Sequence, residues 1–211
     1  MGIFREYDIL LLYYDDEKNG VFGKKMMKTT IRKRTYQAIY RLLDRVSPLS
    51  ADCGLLCGAV CCCPPEQDDQ ELGIYLLPGE EKLFTRKEPW LIWNVEDAED
   101  FDFPASWRGK IYFVRCTCAP KCPRKMRPLQ CRFFPAAPHL TEDGRLLLIR
   151  SDLELPYSCP LITDKTELEH SFLKATHTVW RHLIRDPLLL DLVRYDSEFR
   201  CVSEADILYP R

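Results

Sequence analysis

The sequence predicts an α+β fold, a single domain over residues 1–211 with short strands, an N-terminal helix and C-terminal helices around a cysteine-rich centre. Three observations predict it. Apolar residues recur at helical spacing near both ends of the chain, and short strand-like runs bounded by turn residues lie between them. Nine of the eleven cysteines fall into two clusters about fifty residues apart, so tertiary folding must bring them together if they act as one group.

Composition supports a packed core, since 46% of residues are hydrophobic and no disulfide staples are required. A net charge of −2 gives no support for nucleic-acid binding by the chain as a whole. The first residues, "MGIFREYDILLLYYDDEKNG", contain one short apolar run, Ile9 to Tyr14, flanked by acids. Residues 8–14 read as a strand or buried edge segment, and the run is too short and wrongly flanked for a secretory signal. Glu6 stands where a myristoylation pattern requires Ser or Thr. No run approaches the roughly 18 apolar residues of a membrane span. The expectation is a cytoplasmic chain without a membrane partner.

A helical flank is expected over 24–46. Ile31, Thr35, Ile39, Leu42, Leu43 and Val46 recur at helical spacing from about Thr29, and Ser47-Pro48 ends the pattern. The basic start (Lys24, Lys25, Lys28, Arg32, Lys33, Arg34) reads as a solvated face. After the first cysteine cluster and the polar loop "PPEQDDQ", "ELGIYLLPGEEKLF" predicts a short strand and then a helix opening at Pro78. Glu80 and Glu81 would complement the dipole in its first turn. The acidic, aromatic stretch 88–107 is expected to lay its tryptophans over the core, with a partner-facing loop as the alternative. "GKIYFVRCTC" and "GRLLLIRSDL" read as strands. A second helical flank, 164–200, opens with a capping box from Thr166 to Glu169 and carries Leu168, Phe172, Val179, Leu183 and Ile184 on one face. Asp186-Pro187 breaks it and starts a last helix.

The cysteines lie in "CGLLCGAVCCC", residues 53–63, and "CTCAPKCPRKMRPLQC", residues 116–131. A reducing compartment disfavours disulfides, and core packing would spread cysteines at helix or strand periods rather than clump them. Spacings such as Cys57 to Cys61 and Cys118 to Cys122 allow two thiolates to reach one ion without closing a long loop. The expected ligands are Cys57, Cys61 and Cys62 from the first cluster with Cys122 and Cys131 from the second. Cys53 and Cys118 follow, and Cys159 is a more distant ligand. Three consecutive cysteines cannot all point one way, so one of Cys61, Cys62 and Cys63 is spare. The metal-centred core is thus placed at about 53–160. Zn²⁺ is the expected ion and an iron–sulfur cluster the alternative, although no familiar ferredoxin spacing is present. Either centre is anionic. Arg127 and Arg132, flanking Cys131, are placed to offset that charge and to donate hydrogen bonds to sulfur.

"CGLLCGAVCC", "LLPGEEKLF" and "RPLQCRFFP" together resemble the YkgJ-like cysteine-cluster proteins, described as zinc- or iron-chelating domains. The resemblance spans roughly residues 53–135, with "YSCPL" as an extension. Its most specific part is Arg127-Pro128 through Cys131-Arg132 to Pro135. The opening departs from the family pattern in having three residues between Cys53 and Cys57. It implies metal binding rather than a reaction.

Two other classes stand beside a metal-binding protein. Flagellin lysine-N-methylases carry similar clusters, but the chain has nine glycines and no Gly-x-Gly-x-x-Gly loop for a nucleotide-like cofactor. A zinc-stabilised interaction module would present stretch 88–107 to a protein partner. His139, His170, His177 and His182 show no His-Glu-x-x-His spacing, and Ser158 lacks a nucleophile elbow.

Overall fold

The computed structural model describes residues 28–61, 73–117, 123–153, 155 and 157–210. The expected strand at 8–14 lies outside them, as do Lys24, Lys25, Cys62, Cys63, Cys118 and Cys122. The architecture is α+β, with two three-stranded antiparallel sheets and helices at both ends of the chain.

Helix α1, Lys33–Leu43, buries Tyr36, Ile39, Tyr40 and Leu43, an i, i+3, i+4, i+7 stripe. The stripe differs from the expected one in resting on two tyrosines, while Leu42 is exposed. The helix also starts later than expected. The buried Asp186 carboxylate accepts from the Thr29 hydroxyl (3.1 Å), the Thr30 amide (2.6 Å) and the Thr30 hydroxyl (2.9 Å), which ties the preceding segment down in another conformation. Arg32 is accordingly extended. A single turn, α2 (Gly54–Cys57), carries the start of the first cysteine cluster and closes on Gly58 in the left-handed region.

Strands β1 (Ile74–Tyr75), β2 (Leu91–Asp97) and β3 (Lys110–Cys116) form the first sheet in the order β1-β3-β2. The register runs from Leu91 opposite Cys116 to Asp97 opposite Lys110. The acidic, aromatic stretch 88–107 thus supplies strand β2 and, after a 3₁₀ turn at Ala98–Asp100, a loop, and both Trp90 and Trp107 are buried. A small core of Ile74, Leu76, Phe84, Trp90, Leu91 and Val114 sits at this sheet.

The helix expected at Pro78 is instead a short 3₁₀ turn, Glu80–Leu83. Gly79 at φ 91° reverses the chain before it, and Phe84 is already extended after it. Glycine is required there twice over. A β-carbon would lie 3.2 Å from Thr29 Cγ2 and 3.3 Å from Tyr36 Cε2, besides forcing a left-handed backbone on an L side chain. Gly79→Ala is expected to cost about 2–4 kcal/mol, from left-handed strain and overpacking together, read as a lower urea midpoint. A loss below about 0.5 kcal/mol, the range of an ordinary surface change, would show that this turn relaxes easily.

Helix α3, Leu129–Phe133, follows the second cluster and leads into the second sheet: β4 (Ala136–Leu140), β5 (Leu146–Arg150) and β6 (Ile207–Tyr209), in that order. After α4 (Pro160–Thr163), the long helices α5 (His170–Leu183) and α6 (Pro187–Glu198) complete the main core. Tyr36, Leu129, Phe133, Phe172, Trp180 and Leu189 are almost fully buried in it. Asp186 caps α6 as the Asp-Pro pair suggests, accepting from the Leu188 amide at 3.1 Å. The expected capping box of α5 does not form. Thr166 donates its hydroxyl to the Pro160 carbonyl at 3.1 Å, and the helix begins only at His170. Among the described residues no helix is long and apolar enough to cross a membrane.

Candidate metal centre and its cavity

The site is assembled by a buried acid. Glu80 is fully buried, and its carboxylate accepts from the Tyr40 hydroxyl (2.6 Å), the Leu77 amide (3.0 Å) and the Leu129 amide (2.8 Å). These three donors come from α1, from the Leu-Leu-Pro-Gly turn and from the first residue of α3. One side chain therefore joins the "LLPGEE" and "RPLQC" segments and fixes the start of the helix that carries Cys131. Burial pushes the Glu80 carboxyl above its ordinary value, opposed by those donors and by Arg132. The Tyr40 hydroxyl is raised as well, first by burial and then by Glu80.

Arg132 clamps the same junction from outside. Its guanidinium lies 4.6 Å from the centre of the Tyr40 ring and donates to the carbonyls of Arg127 (2.8 Å), Arg124 (3.0 Å) and Tyr40 (3.4 Å). Asp44 stands 3.7 Å away, and burial lowers the arginine's pKa. Arg132 thus folds the loop 124–127 back over α1. A second tie is Arg124 to Asp52 at 2.5 Å, which links the segments bearing the two clusters. Both partners of that pair are well exposed, so its contribution is small.

Between the two cores lies a cavity of about 350 Å³. Leu43 and Val46 line it from the main core; Ile74, Trp90, Leu91 and Val114 line it from the sheet. Four cysteines reach it, Cys53 and Cys61 from the first cluster and Cys116 and Cys131 from the second. Arg124, Lys125, Arg127 and Arg132 also border it. The two clusters are therefore brought to one place across a large separation in sequence.

The other expected ligands are distributed as follows. Cys57 is half-buried at the end of α2, and Cys159 is buried ahead of α4. Cys159 is near enough to Cys53 and to Cys57 for their charges to act on one another. Burial, then Asp52, pushes the Cys53 thiol up, while Arg124 and Arg127 pull it down. Burial likewise raises Cys159. Among the described residues no three His, Cys, Asp or Glu side chains lie close enough together to hold a metal ion. No disulfide joins the described cysteines.

Three contributors escaped the sequence reading. Cys116 ends β3 opposite Leu91, and strand alternation together with that register would have aimed both at one wall. Glu80 read as an acid complementing the dipole in the first turn of a helix. Gln130 is 4% exposed, lines the cavity, and has a buried side-chain oxygen with no hydrogen-bond partner among the described residues. Two histidines have structural work: His170 and His177 pack against Tyr209 of β6, and His177 Nε2 lies 3.1 Å from the Leu146 carbonyl of β5, so α5 is tied to both strands.

Compared with protein-family models, with curated proteins and with solved structures, the chain finds no match.

Proposed function

We propose that this chain is a metal-binding protein in which thiolates of both cysteine clusters hold Zn²⁺, with an iron–sulfur cluster as the other centre the donor set would accept. The observation that carries the reading is the meeting of Cys53, Cys61, Cys116 and Cys131 on one cavity bordered by four basic side chains. Thiolate donors suit either centre, and nearby cations offset the negative charge such a centre carries. Cys57, Cys61, Cys62, Cys122 and Cys131 would supply the ligands, with Cys53, Cys118 and Cys159 as the reserve. Arg127 and Arg132 would stand outside the ligand shell, Arg132 holding the loop in place through its carbonyl bonds. A bound ion would also cross-link the two cluster-bearing segments. The thiol-rich composition suits a reducing, cytoplasmic setting.

The test is elemental analysis of protein purified without oxygen, together with its visible spectrum. Stoichiometric zinc in colourless protein, or iron with a thiolate–iron absorption band, would support the reading. Protein carrying less than a tenth of an equivalent of any transition metal, and taking up none on addition of Zn²⁺ or Fe²⁺ with sulfide, would remove it.

A further inference from the structure

Strand β2 is the longest edge strand among the described residues. Its hydrogen-bonding phase is set at both ends: the Thr117 amide donates to the Trp90 carbonyl (3.0 Å), and the Ala98 amide donates to the Gly109 carbonyl (2.9 Å). The register between these points is regular, from Leu91 opposite Cys116 to Asp97 opposite Lys110, so the even-numbered residues of β2 bond to β3. The amides and carbonyls of Trp93, Val95 and Asp97 therefore point away from the sheet, where no strand pairs with them among the described residues.

The other edges are short or closed. Strands β1 and β6 have two and three residues. On β4 the outward Leu140 amide donates to the Ser197 hydroxyl (2.9 Å), and the outward Pro138 carbonyl accepts from Arg200 (2.7 Å). By contrast β2 has seven residues, no proline, and an exposed apolar side chain on each face, Ile92 at 43% and Val95 at 50%. Such an edge is a template for another strand, and native sheets usually cover or interrupt it.

The charges beside β2 say which strand fits. Exposed Arg86 and Lys87 precede it, whereas Glu96, Asp97, Glu99 and Asp100 end or follow it. Glu88 is turned back onto the Thr85 amide (2.6 Å), and Lys110 pairs with Asp97 (2.7 Å). The first end is thus positive and the last end negative. Antiparallel pairing of two such strands sets each positive end beside a negative one, while parallel pairing sets like beside like.

We infer that β2 pairs antiparallel with β2 of a second copy of this chain about a two-fold axis at Asn94, joining two three-stranded sheets into one continuous sheet. The phase fits this axis: Trp93 falls opposite Val95 of the partner subunit, and outward-pointing groups on the two strands meet each other. The exposed Val95 is then covered by an indole, an aromatic–β-branched cross-strand pair of the stabilising kind. The contact is self-complementary and closes at two copies. It goes beyond metal binding and does not rest on it.

The experiment is sedimentation of the full-length protein over a hundredfold dilution series, with amide exchange measured on the same samples. A monomer–dimer equilibrium is expected, and protection at Trp93 and Val95 should rise with the dimer. Val95→Pro removes an outward N–H without touching the β3 ladder, so it should give monomers in which β3 keeps its amide protection. Lys87→Glu and Asp100→Lys, both at exposed positions, should each weaken the dimer about threefold to tenfold, since the two-fold axis repeats every lost pair. An equimolar mixture of these two variants should recover wild-type affinity, because opposite charges then meet at both ends of the paired strands.

A protein that stays monomeric throughout the series overturns the inference. If Trp93 and Val95 are nonetheless protected in that monomer, another part of the same chain, such as residues 8–14, covers the edge. A dimer that Val95→Pro leaves unchanged uses a different surface, and a mixture of the charge variants no tighter than either alone rules out the antiparallel arrangement. Should Val95→Pro fail to fold, the charge-variant mixture decides by itself.

Discussion

Glu80→Ala is expected to lower the free energy of unfolding by about 3–5 kcal/mol, among the larger effects a single substitution produces. The truncation removes what is, among the described residues, the only acceptor for the Tyr40 hydroxyl and for the Leu77 and Leu129 amides, all of them in buried surroundings. Each buried donor left unsatisfied costs about 1–3 kcal/mol, and the emptied volume adds to that. Relief from burying a carboxylate offsets part of the loss, which keeps the total below a simple sum. Glu80→Gln keeps the shape but turns one acceptor into a donor facing donors, so an intermediate loss is expected. Urea midpoints at neutral pH give both values, and amide exchange at Leu129 gives the local one. A Glu80→Ala loss under about 1 kcal/mol would mean that water enters and satisfies the three donors.

The same residue sets a pH dependence. Its pKa in the folded protein is raised, with burial the leading cause, so the native state holds this proton to higher pH than the unfolded chain does. Between the unfolded and folded values the native state binds more protons, and stability falls as pH rises through that window. The contribution is greatest below the unfolded value, about 4.3 for Glu. Subtracting the Glu80→Gln profile of midpoint against pH from the wild-type profile isolates it. A difference that rises with pH would reverse the sign and show that the three donors outweigh burial.

How far the sequence foretold this molecule depended on whether the signal was local. The stripe on α5, the Asp-Pro start of α6, and strands β3 and β5 follow from periodicity and punctuation within a few residues. Strands β4 and β6 do not: "AAPHL" has a central proline and no β-branched residue, and "ILY" is only three residues long. Both exist because β5 offers them an edge on each side. The start of α1 is set by Asp186, more than 150 residues away, so no window around Thr29 contains the cause. At the site, the two cysteine clusters, far apart in sequence, both reach one cavity. Glu80 was invisible for a physical reason. An acid after Pro-Gly fits an exposed helix start equally well, and only the approach of Tyr40 and α3 makes it a buried hub.

The largest expected effect concerns Cys131. Apparent zinc affinity in small thiolate sites is worth about 10–16 kcal/mol, as large as the about 5–15 kcal/mol that separates folded from unfolded domains. On the proposed metal centre, Cys131→Ala is expected to lose the ion and to lower the thermal midpoint by far more than Cys201→Ala, whose exposed thiol lies beyond α6. The damage should have a definite shape. Leu129 and Phe133, on either side of Cys131, are buried in the main core, where Phe133 packs on Trp180. Helices α5 and α6 should keep their amide protection, while residues 53–61 and 123–128, the segments that bring Cys53, Cys61, Arg124 and Arg127 to the cavity, should lose theirs. Fast exchange spread evenly over the whole chain would instead make the metal a condition for folding of every part. Equal midpoints and equal metal content for the two variants would take Cys131 out of the ligand set, and the shared cavity would then be a ligand pocket that happens to be lined with thiols.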